Sequence, residues 1–182
     1  MLASAGRAVA EVTARGRSSD DALAPFAQHP DRAAVRAVTL GSLRWYLRLL
    51  PAVAPLVESG RQPLAAELRS LLVAAAHQVE YSQNAPQATV HAAVDAARIL
   101  GHARASGLVN AVLRRFVRDR VVLLAAVDAD PAAAAAHPAW IVREIESAWP
   151  GEARGVLAGN NTHPPLALRV DRSRVELSAY LR

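Results

Sequence analysis

The sequence predicts a mainly α protein: a helical bundle, then a linker helix, then the truncated start of an α/β region. Three observations lead there. Apolar residues recur at helical spacing through the first 128 positions. A single period-2 stretch, Leu166-Ala167-Leu168-Arg169-Val170, stands between turn residues. The 182 residues are 52% apolar and 20% charged, enough to build a core, yet arginines, prolines or acids interrupt every apolar run before membrane-spanning length.

In chain order, Leu2, Ala5, Val9 and Val12 predict a first helix over 2–17. Ser18-Ser19-Asp20-Asp21 is an N-cap cluster for a short helix through Phe26. Pro30-Asp31 opens a helix over about 31–50, with Val35, Val38, Leu43, Leu47 and Leu50 on its periodic face and Trp45-Tyr46 as bulk. Pro51 and Pro55 disturb the next turns, leaving room for a short helix over 52–59. Gln62-Pro63 starts a strongly apolar helix over roughly 63–80. Asn84-Ala85-Pro86 turns the chain into a helix that runs to about Leu100, where Gly101 ends it.

The next helix, about 105–120 with an extension through Ala126 open, is expected to organise the bundle. Leu108, Val109, Val112, Leu113, Phe116 and Val117 fall on one half of it. Arg114, Arg115 and Arg118 fall on the other, beside the small residues Gly107 and Ala111. Beyond Asp128 come Asp130-Pro131 and an alanine run. His137-Pro138 then begins a helix carrying Trp140, Ile141, Ile145 and Trp149, stopped by Pro150-Gly151, and a short helix covers 152–159. After the 166–170 strand, Ser173 opens an amphipathic helix with Val175, Leu177, Tyr180 and Leu181. The expected organisation is a helical domain over 1–128, a helical linker over 129–159, and over 160–182 the first strand and helix of a further, truncated unit.

Charge is unevenly placed. The net charge is +5, and from 98 to 120 six arginines face one acid, Asp119. Residues 1–50 add seven arginines against four acids. Basic charge confined to particular helices is an electrostatic footprint for a polyanion, most simply RNA or DNA. All 21 basic residues are arginine, which coding bias explains, but each is a planar fork able to grip phosphate at two points. No signal-peptide pattern occurs, and the absence of cysteine suits a reducing compartment, so a cytoplasmic location with no membrane partner is expected.

Several stretches resemble the amino-terminal part of the ribosomal RNA small-subunit methyltransferase B family (RsmB, also called Sun or Fmu). They are Leu40-Gly41-Ser42-Leu43-Arg44, Pro86-Gln87-Ala88-Thr89-Val90 leading to Val94-Asp95-Ala96-Ala97-Arg98, and the run from Gly107 to Arg115. The helical part is similar to the NusB domain, which the stand-alone NusB antitermination factors also carry. His137-Pro138-Ala139-Trp140 and the run from Asn160 to Val170 resemble the methyltransferases' bridge into their next, RRM-like α/β domain. The resemblance implies an enzyme that moves a methyl group from S-adenosylmethionine to C5 of a cytosine in 16S rRNA, using two cysteines. This chain has no cysteine, and its nine glycines form no nucleotide-cradling turn. It is expected to be a fragment, inactive alone, whose partners are 16S rRNA and its own missing methyltransferase domain. It also departs from the family at His91-Ala92, where Asn-Glu is usual, and at Asp95, where glutamate is.

The resemblance therefore points to RNA targeting, with no catalytic residue, cofactor site or metal site assigned within the chain. The six histidines, at 29, 77, 91, 102, 137 and 163, include no i, i+4 pair of the kind that binds metal. Candidate RNA-binding residues are Arg114, Arg115 and Arg118 on the free face of the organising helix, Arg104 at its start, and Arg7, Arg15 and Arg44 from the amino-terminal half. Three Trp, three Tyr and two Phe give little material for stacking platforms, which favours reading a folded RNA's shape and phosphates. Two alternatives stay open: a stand-alone antitermination factor, and a protein-docking module in which 137–182 presents Trp140, Ile145, Trp149 and Leu168 to another surface.

Overall fold

Periodic apolar residues fold as expected into helices, which a computed structural model describes over residues 1–57, 63–162 and 167–180. The elements are α1 (Leu2–Arg15), α2 (Ser19–Leu23), α3 (Arg32–Arg44), α4 (Tyr46–Val53), α5 (Ala66–Tyr81), α6 (Pro86–Ile99), α7 (Ser106–Val127), α8 (Pro131–Ala134), α9 (Ala139–Ala148), α10 (Ala153–Asn160) and α11 (Leu177–Tyr180). The predicted cap cluster works as read: Ser18 Oγ accepts the Asp21 N–H at 3.1 Å and starts α2.

The centre of the bundle is α5, not the arginine-faced helix expected to organise it. Residues 70–76 are buried without a break, and α1, α3, α4, α6 and α7 all pack on α5. A helix apolar on every side has nowhere to lie except the middle. Helix α1 crosses it most closely because Gly6 has no side chain; a Cβ there would sit 3.2 Å from Leu71 Cα. Helix α7 covers a different flank with Val109, Val112, Leu113 and Phe116, all buried, and runs on to Val127.

Two expectations need correction. The single helix predicted over 31–50 breaks at Trp45 into α3 and α4, where the indole stacks on Tyr81 of α5 with centroids 4.8 Å apart. The helix predicted over 52–59 is the end of α4 plus one 3₁₀ turn over Ala54–Leu56, and positions 58–62 lie outside the described residues.

The strand predicted over 166–170 is likewise not formed among the described residues. Positions 167–170 carry no β pairing, and Leu166 lies outside the description with His163, Pro164 and Pro165. No other described residue is in a strand, and a strand without a partner leaves its N–H and C=O groups unpaired. The helix begun at Ser173 is reduced to the single turn of α11, whose residues are exposed.

Between bundle and tail, α8–α10 form a small module. Ala136 adopts φ 54° where α8 ends, letting His137 N–H bond back to Ala132 O at 3.0 Å. Asn161 Nδ2 donates to Ala135 O at 2.7 Å, and the His137 ring also meets that carbonyl at 2.5 Å. The His137 and Asn160-Asn161 stretches that distinguish the methyltransferase resemblance thus tie α8 to the end of α10.

Candidate nucleic-acid interface

The sidedness of α7 fixes where its arginines go. With Val112, Leu113 and Phe116 locked inward, Arg114, Arg115 and Arg118 are exposed on the outer face. Two of them are held in place. Arg114 Nε donates to Asn110 Oδ1 at 3.0 Å, and Arg118 donates to both oxygens of Asp119 at 2.8 and 2.9 Å. Arg115 Nε reaches the same carboxylate at 3.8 Å. The Arg118 hydrogen bonds hold the Asp119 carboxyl below its ordinary range, and those bonds raise Arg118 in turn. Asp119 therefore remains an anion among three cations, and the patch keeps a net excess of two.

Helices α6 and α7 are joined by a short connection and lie against each other. The start of α6 therefore reaches the middle of α7, and a hollow of about 200 Å³ opens between them. It is lined by Gln87, Val90 and His91 from α6 and by Arg114, Val117 and Arg118 from α7. His91, one of the departures from the family pattern, stands on this rim.

The other candidates lie elsewhere. Arg104 is exposed on the 3₁₀ turn before α7. Fourteen residues separate it from Arg118, roughly 20 Å of helix. Arg15 ends α1 and pairs with Glu11 and, at 3.5 Å, with Glu67 at the start of α5; Glu67 also meets His102 Nε2 at 4.0 Å. That chain of contacts brings Arg15 and the approach to Arg104 to one end of the bundle. Arg44 is half-buried at the end of α3 and acts on His77 of α5, toward the other end. Arg7 is exposed on α1. The seven candidates are three on one helix face and four distributed around the bundle.

A second polar cluster had no sequence signal. Arg48 of α4 donates to both Asp128 oxygens at 2.7 and 2.6 Å, reaches the Tyr81 hydroxyl at 2.6 Å, and lies 5.9 Å from the centre of the Trp45 ring. The Asp128 hydrogen bonds raise the Arg48 pKa further against the opposing effect of burial. Eighty residues separate Arg48 from Asp128, so no local pattern announces the pair. Beside it a cleft of about 720 Å³ opens between the bundle and the α8–α10 module, with Trp45, Val142, Glu146, Arg154 and Leu157 among its walls. Among the described residues, no three His, Asp or Glu side chains are placed to hold a metal ion, and no helix is long and apolar enough to cross a membrane.

Comparison with known proteins agrees with the helical bundle. Residues 3–118 match the NusB family, and residues 137–182 match the Methyltr_RsmF/B-like, ferredoxin-like domain. Among curated proteins the chain is 34% identical over 151 residues to a protein of Pseudomonas syringae pv. tomato named ribosomal RNA small subunit methyltransferase B, covering 83% of this chain and 34% of that one. Proteins of the same name from Sodalis glossinidius and Pectobacterium atrosepticum are 34% and 32% identical over 97% of this chain, and 41% and 42% of their own lengths are covered. The chain thus spans between a third and about two fifths of the length of these relatives. With a NusB bundle over most of its length and an RsmF/B-type ferredoxin-like stretch after it, the chain belongs to the NusB family in the form found in the ribosomal RNA small subunit methyltransferase B proteins.

Proposed function

We propose that this chain binds 16S rRNA and directs an S-adenosylmethionine-dependent (cytosine-C5)-methyltransferase to it. The observation that carries the reading is the outer face of α7, where three exposed arginines surround one acid on a helix whose inner face is locked into the core. Anchored guanidinium groups lose little freedom on meeting phosphate, which suits positioning contacts along an RNA backbone. In this reading residues 1–128 are the RNA-binding unit, 129–159 a helical linker, and 160–182 the beginning of the methyltransferase's own amino-terminal subdomain. S-adenosylmethionine would supply the methyl group in the whole enzyme. The described residues contain no glycine-rich turn joining a strand to a helix that would hold it, and no step of methyl transfer is assigned to them.

The test is fluorescence anisotropy against a small-subunit rRNA hairpin and a boxA-like single strand across a salt series. About three to five phosphate contacts give a log–log salt slope of roughly −3 to −4. The expected result is hairpin preference, with Arg114→Ala plus Arg118→Ala lowering the slope by about 2. Preference for the single strand would favour the antitermination reading. An unchanged affinity and slope in the double variant would remove α7 from the interface.

A further inference from the structure

We propose that the hollow between α6 and α7 is a subsite for one unpaired nucleotide of the bound RNA, its base entering the hollow and its flanking phosphates lying on Arg114 and Arg118. This rests on the RNA reading above and adds what that surface selects. Four features of the hollow point to a nucleotide rather than to a bare phosphate.

Its floor is apolar and fixed. Val90 is 3% exposed and belongs to the main core, and Val117 packs half-buried against that core. An inorganic anion gains nothing from such a floor, whereas the face of a base does. Its size is the second feature. About 200 Å³ holds several waters but falls below the roughly 300 Å³ at which pockets for whole small molecules begin, so it suits a single flat group.

The rim is the third. Arg114 is anchored through Nε to Asn110 and Arg118 through Nε and Nη2 to Asp119, so each guanidinium is held and still has N–H donors to spare. Two such forks beside an apolar floor match a base with a phosphate on either side of it. The fourth is Gln87, exposed on the first turn of α6, whose amide has both a donor and an acceptor for a base edge. The exposed His91 imidazole is the one ring on the rim and no Trp, Tyr or Phe is among the lining residues, so the base would rest mainly on the aliphatic carbon of Val90 and Val117. That suits a nucleotide extruded from a folded RNA more than a run of stacked single strand.

The experiment compares two labelled hairpins identical except for one unpaired bulged nucleotide, titrated with the whole chain at fixed salt. The unaltered protein is expected to bind the bulged hairpin about tenfold more tightly. His91→Met extends a flexible, non-aromatic side chain over the hollow from an exposed position, leaves both arginines in place and adds no ring on which a base could stack. It is expected to reduce the preference to about twofold or less while the paired hairpin binds with its original affinity and salt slope. Gln87→Ala is expected to weaken only the bulged complex. Equal affinity of the unaltered protein for both hairpins, or a preference surviving in His91→Met, would overturn the subsite. If the hairpins bind equally and Arg114→Ala plus Arg118→Ala still lowers the salt slope, the RNA reading stands and the subsite alone is wrong. If neither hairpin binds, both fall together.

Discussion

Gly41 of α3 lies directly against His77 of α5. A Cβ at that position would lie 2.5 Å from His77 Cε1 and nearer still to Nε2, so a side chain can enter only if the imidazole leaves. Gly41→Ala is expected to cost about 1–3 kcal/mol, read as a lowered urea midpoint with an unchanged slope. His77 has its own signature. Burial, and then the nearby Arg44 charge, push its pKa down from 6.5 to about 4. The folded state therefore favours the neutral ring, and between pH 6.5 and 4 the unfolded chain binds the extra proton. The His77 contribution to stability is whole above pH 6.5 and is lost as pH falls toward 4, to a total of about 3 kcal/mol. Urea unfolding from pH 7 to pH 4 should fall less steeply in His77→Gln than in the unaltered protein; equal slopes would mean the ring is not shielded.

At the scale of elements, Arg48 does what no capping residue does here. It joins α4 to Asp128, the residue that follows the end of α7, and to Tyr81 at the end of α5. The Arg48 side chain is 16% exposed and Asp128 36%, so the pair is only partly screened. Arg48→Ala should cost about 1–2 kcal/mol, and Asp128→Asn should recover part of that loss when combined with it, as a double-mutant cycle would show. The helices themselves were legible because their apolar spacing is strong: α6, α7 and the capped start of α2 follow directly from Pro86, the 108–117 pattern and Ser18. The break at Trp45 was not, because it depends on Tyr81 of another helix. Nor was the rank of α5, since a helix apolar on all sides and one apolar on a single face both read simply as helical.

For the whole molecule, stability is expected to be graded. Positions 167–180 are exposed coil and one short turn, with Leu168 57% exposed, whereas α5 is sealed by five helices. Hydrogen exchange should find amides in 167–180 nearly unprotected while those in α5 exchange only on global unfolding. Comparable protection in both would show that the tail is packed. The candidate site was legible to the same degree as its helix. The arginine face of α7 follows from sequence spacing, and so does the i, i+4 offset of Arg115 and Asp119. The hollow does not, because it exists only once Gln87 and His91 are set beside Arg114 and Arg118 by the packing of α6 on α7. The dispersal of Arg7, Arg15, Arg44 and Arg104 also needed the fold, since net charge has no direction.

The central position of α5 bears on how the protein is made. Its five neighbours come from both sides of it in the chain, so α1 leaves the ribosome with its partner some sixty residues away from synthesis. When Tyr81 has been added, α6 and α7 do not yet exist, and at ~5–20 residues per second roughly two to nine seconds pass before Val127 is joined. Through that interval the leucines and valines of α5 are translated but only partly covered. The nascent chain is then a target for chaperones that hold apolar helices, and slowing translation between codons 82 and 127 should prolong that contact.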